Sequence, residues 1–421
     1  MNYSKKHKQL HQLLLMFLYV FLIYRYINYV ADVFNYMRFE FKPSFMKSCL
    51  AGVAFIVVLR WLYIIKDKFM YAVCICYATL LIIPNLIMFQ FNSYPPFLLG
   101  ILLLFLFWLS REQKTIYRLN VAKIRESNKL ALILIIVLIT LVPFLLSYGI
   151  NLNFELFSFG EVIYEAREDS KGNESVLTSY LYSPLKNVLI PTLIIIGLYK
   201  RKPVVIIVGI IMLVYLFLVI PHKTTFFSIF VVLALFFYND YYKKMTFMLS
   251  AISVILLLSF IINLNYGVHL IESMFLRRVF FVPAQLNMAY VEVFKQNPIY
   301  LSHSILGWLI DYPFKIPPTY VLGIEYYGDE TLNANNGVFS DGFMNFGFIG
   351  SFFFTYFTVW LIRFIKLIRI APYLFGIVFI VIQTTISSAL LTGLLTHGIL
   401  VTLGIFIFFF KDSEKIILWR R

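Results

Sequence analysis

Charged residues are scarce in this 421-residue chain, at 14% of the sequence, and cysteine is rarer still, with three residues. A soluble protein of this length needs far more Asp, Glu, Lys and Arg to cover its surface. The shortage excludes soluble enzymes, fibrous proteins and disordered regulators. Cys49, Cys74 and Cys76 all lie inside apolar runs, so they indicate neither a disulfide framework nor a metal site.

Sequence motifs for nucleotide and metal chemistry are also missing. The chain has no P-loop, no Asp-x-Asp pair, no His-Glu-x-x-His and no Gly-x-Ser-x-Gly. Nucleotide-driven chemistry therefore has no support, and we predict neither a cofactor nor a metal.

Long apolar runs are abundant instead. Hydrophobic residues make up 61% of the chain, and the mean hydropathy is +0.83. Runs about one bilayer long predict an all-α, multi-pass (polytopic) membrane protein with about 12 transmembrane helices in a single integral membrane domain, residues 1–421. The predicted spans are 12–31, 48–65, 69–89, 95–109, 130–148, 185–199, 204–220, 226–239, 245–262, 346–362, 371–390 and 394–410.

Basic residues are distributed unevenly between the two sides of these spans. With the amino terminus inside, most of the 36 Lys and Arg residues fall on inner segments, whereas the outer segments hold more acidic than basic residues. The positive-inside rule then predicts that both termini are cytoplasmic. The net charge of +15 has this origin, so we predict no nucleic-acid partner.

Two of the predicted outer loops are long, at about 149–184 and 263–345. Long loops in compact proteins are usually functional or disordered. The second loop contains Trp308 and many Tyr and Phe residues, which is typical of ordered, interfacial chain. We therefore expect short helices at the outer membrane surface.

Three basic positions in outer segments are candidate ligands for an anionic group. Arg277 and Arg278 are adjacent, and either they snorkel to lipid headgroups or their planar guanidinium groups clamp a diphosphate. Arg167 has no acidic residue three or four positions away, so it is either a plain solvated residue or a second ligand. Lys223, in the turn 221–225, is either an ordinary polar turn residue or a third ligand.

Asn and Gly are unusually dense in residues 333–350. The amides of Asn333 and Asn335 suit hydrogen bonds to sugar hydroxyls, whereas a helix cap is enough to explain Asp341 alone. Three glycines here permit tight turns and close approach of helices. They are Gly342, Gly347 and Gly350.

Four of these features together resemble the Wzy-type oligosaccharide repeat-unit polymerases. The resemblance covers roughly residues 150–362, and its last motif is the most specific. The motifs are Tyr164-x-x-Arg167, His222-Lys223-Thr224, Arg277-Arg278-x-Phe280-x-x-Pro283, and Asn333-Ala334-Asn335 leading to Asp341-Gly342-x-x-Asn345-Phe346-Gly347-x-x-Gly350.

The resemblance implies an inverting, GT-C-like glycosyltransferase at the outer face of a bacterial cytoplasmic (inner) membrane. Such an enzyme moves a growing O-antigen or capsule glycan from undecaprenyl diphosphate onto the next lipid-linked repeat unit. The donor carries its own leaving group, so no nucleotide site is needed. Expected partners are the undecaprenyl-diphosphate-linked oligosaccharide and membrane lipids, with a chain-length regulator as an optional third.

Two alternative functions stay open. One alternative is the related O-antigen ligase, which delivers the same donor to lipid A core. The other is a flippase or other transporter, which typically has paired repeats and ionisable residues inside its spans.

The predicted site of the polymerase has three groups of residues. The predicted diphosphate ligands are Arg167, Lys223, Arg277 and Arg278, the glycan ligands are Asn333 and Asn335, and the candidate proton acceptors are Asp341 and His303.

Overall fold

The computed structural model describes residues 2–112, 118–120, 124–150, 154, 156, 166, 170, 172–221, 224–411 and 415–417. This part of the chain is overwhelmingly helical, and two three-residue strands, Arg118–Asn120 and Lys415–Ile417, pair antiparallel. The helices, in chain order, are α1 (Tyr3–Val33), α2 (Phe45–Ile64), α3 (Lys68–Phe91), α4 (Pro96–Ser110), α5 (Glu126–Tyr148), α6 (Val176–Tyr199), α7 (Pro203–Val219), α8 (Thr224–Phe236), α9 (Tyr241–Tyr266), α10 (269–294), α11 (Pro318–Leu322), α12 (Val338–Ile368), α13 (Pro372–Ser387) and α14 (Leu390–Phe410, broken at 396–398).

Within the described residues, eight of these helices are long and apolar enough to cross a membrane. They are α1, α2, α3, α5, α6, α9, α12 and α14, and three shorter apolar helices, α4, α7 and α13, accompany them. The all-α, multi-pass character predicted from the sequence is therefore confirmed. The count of about 12 spans is not confirmed, because the shorter helices fall below the length that crosses a bilayer without help.

The helix starts follow from local capping chemistry. Asp67 and Asp240 cap α3 and α9 by accepting backbone N–H groups, from Met70 at 2.9 Å and from Tyr242 at 3.0 Å. Ser175 forms a reciprocal capping box with Thr178, so α6 begins at Val176 instead of at residue 185. The predicted outer loop 149–184 therefore gives part of its length to this helix.

The chain forms two compact units. Unit 1 comprises Met1–Gln113, Asp240–Arg363 and Ile382–Leu390, and its centre is α3, which packs against α1, α2, α4, α9 and α10. All of the most apolar stretch of α3 is buried inside the protein.

Unit 2 comprises Lys114–Asn239, Phe364–Val381 and Leu391–Arg421. Its central helix is α6, which packs against α5, α7 and α8. The most apolar stretch of α6 is 78% buried, whereas that of α5 is only 22% buried. Such a large apolar face outside the protein core is characteristic of helices that contact lipid.

Candidate functional site

Arg277 is a buried cation on α10, which belongs to the predicted outer loop 263–345. It lies in a π-helical stretch, Ser273–Phe281, and only 8% of its surface is exposed. Its Nε donates to Ser273 Oγ at 3.0 Å, and the guanidinium lies 4.3 Å from the centre of the Phe34 ring. The chain thus holds one face of this guanidinium against an aromatic side chain.

No carboxylate forms an ion pair with Arg277 in the described part of the chain. Burial, and secondly the adjacent charge of Arg278, lower the pKa of the Arg277 guanidinium, although an arginine stays protonated in a protein. A buried charge normally has a paired counter-charge. Arg25 illustrates this rule, since it is also buried and makes two bonds to Glu272, at 2.5 and 2.8 Å. Arg277 therefore lies in a place that favours an anionic ligand.

Two further arginines lie along α10, Arg278 next to Arg277 and Arg38 towards the far end of the helix, at Glu292. The Arg38 guanidinium is 4.5 Å from the centre of the Tyr326 ring, and it makes only a loose ion pair, at 3.8 Å, with the exposed Glu292. Arg278 is exposed beside Arg277. We call Phe34, Arg277 and Arg278 the arginine–aromatic cluster.

The backbone next to Arg38 is fastened to α10. Gln285 donates its side-chain amide to the carbonyl oxygen of Met37, and Tyr327 donates to Gln285 Oε1 at 3.2 Å. The Arg277 guanidinium also contacts the sulfur of Met37, at 2.9 Å. These contacts fix Arg38 relative to Arg277 although the two residues are far apart in sequence.

Helix α12 contains a sharp reversal at Phe346 and Gly347. Gly347 has φ 61° and ψ −147°, a combination that is essentially restricted to glycine. After the reversal the backbone at Gly350 lies directly against Gly342, where an added Cβ would meet Gly350 O at 2.5 Å. The prediction that these glycines permit a tight turn and close helix approach is confirmed.

Asp341 lies in the first arm of this hairpin and is fully engaged in hydrogen bonds. It is 2% exposed, and its carboxylate accepts from the backbone N–H of Leu390 at 2.7 Å, from Asn345 Nδ2 at 2.9 Å and from Asn336 Nδ2 at 3.4 Å. In this arrangement Asp341 connects the segment 336–345 to the start of α14. The cap role expected for Asp341 is present, but it serves the start of α14.

His303 belongs to a segment that is bound to the same hairpin. Leu301 N donates to Asn345 Oδ1 at 2.9 Å, and Tyr300 N donates to Asn345 O at 3.0 Å. Tyr300 has a φ of 50° and Leu301 a φ of 58°, and a positive φ costs about 1–2 kcal/mol for a residue with a side chain. His303 itself is exposed beside Tyr312, with 6.1 Å between ring centroids, and the surrounding protein lowers its pKa by desolvation.

Tyr290 connects α10 to this second group of residues. Its hydroxyl donates to the carbonyl oxygen of Ala334 at 2.7 Å, and burial, with a smaller effect of the Asp341 charge, raises its pKa. Thirteen positions separate Tyr290 from Arg277, or about 20 Å along a helix. The arginine–aromatic cluster and the Asp341 hairpin therefore lie at two ends of one elongated region.

The other predicted site residues have different positions. Arg167 and Lys223 lie outside the described residues. Asn333 and Asn335 are exposed on either side of buried Ala334, so their amides are accessible.

Sequence reasoning missed three residues that the structure brings to these groups. Asn336 and Asn345 hold Asp341, and both stood inside the quoted Asn- and Gly-rich motif, which was the available signal. Arg38 carried no such signal, because its side-chain neighbours, Glu292 and Tyr326, are more than 250 positions away.

No protein-family model, curated protein or solved structure matches this chain.

Proposed function

We propose that this protein is a polymerase of undecaprenyl-diphosphate-linked oligosaccharide repeat units, working in O-antigen or capsule synthesis at the outer face of a bacterial cytoplasmic membrane. The observation that carries the proposal is the buried Arg277 guanidinium, which has no carboxylate partner in the described chain and lies beside Arg278. A diphosphate supplies the missing negative charge and accepts bidentate hydrogen bonds from an arginine fork.

In the proposed reaction, a hydroxyl at the nonreducing end of the new repeat unit attacks the anomeric carbon of the lipid-linked glycan. The bond from that carbon to the diphosphate oxygen breaks, undecaprenyl diphosphate leaves, and the hydroxyl proton passes to a general base. Negative charge grows on the departing diphosphate, where preorganised cations stabilise the transition state most. Arg277 and Arg278 take this role.

The elongated arrangement supports an oligosaccharide as the substrate. Arg277 and Tyr290, which holds the segment of Asn333 and Asn335 through Ala334, are about 20 Å apart along α10. A single sugar is much shorter than this, whereas a lipid-linked repeat unit of several sugars is long enough to contact both ends. The exposed amides of Asn333 and Asn335 near the second end then bind sugar hydroxyls.

Asp341 and His303 differ as candidates for the base. The Asp341 carboxylate is buried and accepts three hydrogen bonds, which suits a positioning residue. His303 is exposed, and its lowered pKa keeps the imidazole neutral and able to accept a proton at neutral pH. We therefore assign proton acceptance to His303 within this proposal.

A deletion strain distinguishes this function from its competitors. Loss of a polymerase reduces surface glycan to a single repeat unit, because units are still made, flipped and attached. Loss of a ligase leaves long polymer on undecaprenyl diphosphate, and loss of a flippase leaves single units at the inner leaflet. Gel profiles of surface and lipid-linked glycan measure all three, and long lipid-linked chains would reject the polymerase in favour of the ligase.

Complementation with variants tests the role of the arginines. Arg277→Ala should abolish long polymer, since loss of one preorganised stabiliser lowers turnover about a hundredfold or more. Arg277→Lys should rescue poorly because the fork is lost. Lys315→Ala is the matched control, since Lys315 is an exposed cation of the same predicted outer loop, and it should keep full-length polymer. Normal polymer from Arg277→Ala and Arg278→Ala would remove the clamp.

A further inference from the structure

Unit 2 contains a pocket of about 340 Å³ that the proposed polymerase reaction does not use. Its walls come from the start of α5, the end of α6, the connection between α12 and α13, and the end of α14, so it lies where several helices end together. Four charged residues and one pair of aromatic residues are part of its lining. They are Glu126, Lys129, Arg369 and Lys411, and Tyr199 and Tyr373.

Three cations and one carboxylate line this pocket. Lys129 and Lys411 are at least 95% buried, although lysine is rarely buried at all. Lys129 forms an ion pair with Glu126, and its ammonium lies 5.5 Å from the centre of the Phe410 ring. Among the described residues of the lining, cations therefore outnumber carboxylates by three to one.

Arg369 enters the pocket lining at a strained position. It follows the last residue of α12 with φ 54°, where glycine is the favoured residue. Arg201, at the end of α6, has the same φ of 54° but does not line the pocket. The two arginines therefore form a natural matched pair, with equal backbone strain and different surroundings.

Apolar surface continues from the pocket along α5. Leu132, Ile135 and Ile139 lie on the outward face of α5, beside the inward face that carries Lys129, and they are 37%, 49% and 65% exposed. A lipid with its phosphate group in the basic pocket and its hydrocarbon chains along the apolar face of α5 would match both the pocket and the face. Basic pockets at the ends of membrane helices bind anionic headgroups by this combination.

We propose that this pocket binds the phosphate group of an anionic lipid. The exposed Arg369 fork binds the phosphate oxygens, the buried Lys129 and Lys411 add positive charge behind it, and the stacked rings of Tyr199 and Tyr373, with centroids 4.6 Å apart, close one wall. The acyl chains lie along α5. This site is separate from the arginine–aromatic cluster and does not depend on the proposed reaction.

Native mass spectrometry of the full-length protein in mild detergent tests the proposal, with titration by phosphatidylglycerol, phosphatidylcholine and inorganic phosphate. We expect the protein to retain phosphatidylglycerol in preference to phosphatidylcholine. Arg369→Gln combined with Lys411→Gln should weaken phosphatidylglycerol binding tenfold or more, as expected when charge-assisted hydrogen bonds are lost. Arg201→Gln should leave it unchanged.

A glycine variant separates binding from folding. Arg369→Gly removes the backbone strain, so it should raise the melting temperature while weakening lipid binding. Arg201→Gly should raise the melting temperature without affecting binding. Equal phosphatidylglycerol affinity in wild type and Arg369→Gly would overturn the proposal. Binding of inorganic phosphate without any phosphatidylglycerol preference would reject the lipid as the source of the phosphate.

Discussion

The side-chain amide of Asn345 donates to the Asp341 carboxylate over 2.9 Å, while its oxygen accepts the backbone N–H of Leu301. Asn is the residue type that performs both tasks, since Asp has no donor and Ala has neither group. Together with the backbone oxygen of Asn345, which accepts the Tyr300 N–H, this side chain holds the strained pair at Tyr300 and Leu301 against the hairpin of α12. The position of His303, two residues further on, depends on it.

Asn345→Asp should destabilise the protein more than Asn345→Ala. The aspartate places a second carboxylate against Asp341 in a buried site, and a lost hydrogen bond to a charged group costs about 1.5–3 kcal/mol before that repulsion is added. Thermal melting of the purified variants measures the order. Equal melting temperatures for Asp and Ala variants would contradict the assigned orientation of the Asn345 amide.

Substitutions of glycine should separate backbone strain from steric overlap in the α12 hairpin. Gly347→Ala has open space for a Cβ, so its cost of about 1–3 kcal/mol comes from φ and ψ alone. Gly350→Ala should cost more, because its Cβ overlaps the backbone of Gly342. Gly100→Ala in α4 is the control, since it also has open space but lies in regular helix, where alanine stabilises by about 1 kcal/mol.

The buried ion pair of Arg25 and Glu272 should show strong coupling. Glu272→Gln leaves Arg25 buried without its counter-charge and should cost about 3–5 kcal/mol. Replacing both residues with Met should recover much of that loss, because no charge is then buried. Glu292→Gln, at the exposed pair with Arg38, should change stability by less than about 1 kcal/mol. Melting curves of the four proteins decide whether the coupling exists.

His303→Gln should remove the acid limb of the pH–rate profile. A base must be deprotonated, so the wild-type rate should rise with pH through the pKa of His303, which lies below the ordinary histidine value, and then level off. The variant should be slow and nearly independent of pH in that range. A wild-type-like profile in the variant would exclude His303 as the proton acceptor.

Reporter fusions test the membrane orientation. A reporter that is active only outside the membrane should be active after Gly172 or Asn297 and silent after Arg118, because the basic residues concentrate on the predicted inner segments. An active Arg118 fusion would reverse the orientation, and the arginine–aromatic cluster would then face the cytoplasm.

Local sequence patterns predicted the helices and the glycine hairpin, because both depend on neighbouring residues. A run of apolar residues about one bilayer long predicts a membrane helix without reference to the rest of the chain. Gly347 predicts a turn because glycine adopts backbone angles that other residues avoid. The predicted start of α6, at residue 185, was wrong because the capping box at Ser175 was not recognised in the sequence. Contacts such as Arg25 with Glu272 or Arg38 with Tyr326 join residues hundreds of positions apart, and no local pattern encodes them.

The complete enclosure of α3 has a consequence for how the chain enters the bilayer. During synthesis α3 emerges before α4, α9 and α10, which later surround it, so Asn85 and Gln90 first meet lipid or the insertion machinery. Polar side chains in hydrocarbon are costly without partners. In the finished protein Asn85 accepts from Tyr94, and Gln90 donates to Tyr19. A nascent chain that ends at residue 91 already has Tyr19 for Gln90, and Tyr94 reaches Asn85 as soon as the next few residues are made. The second side-chain partner of Asn85, Asn287 of α10 at 3.4 Å, arrives only much later, so the enclosure of α3 is completed late in synthesis.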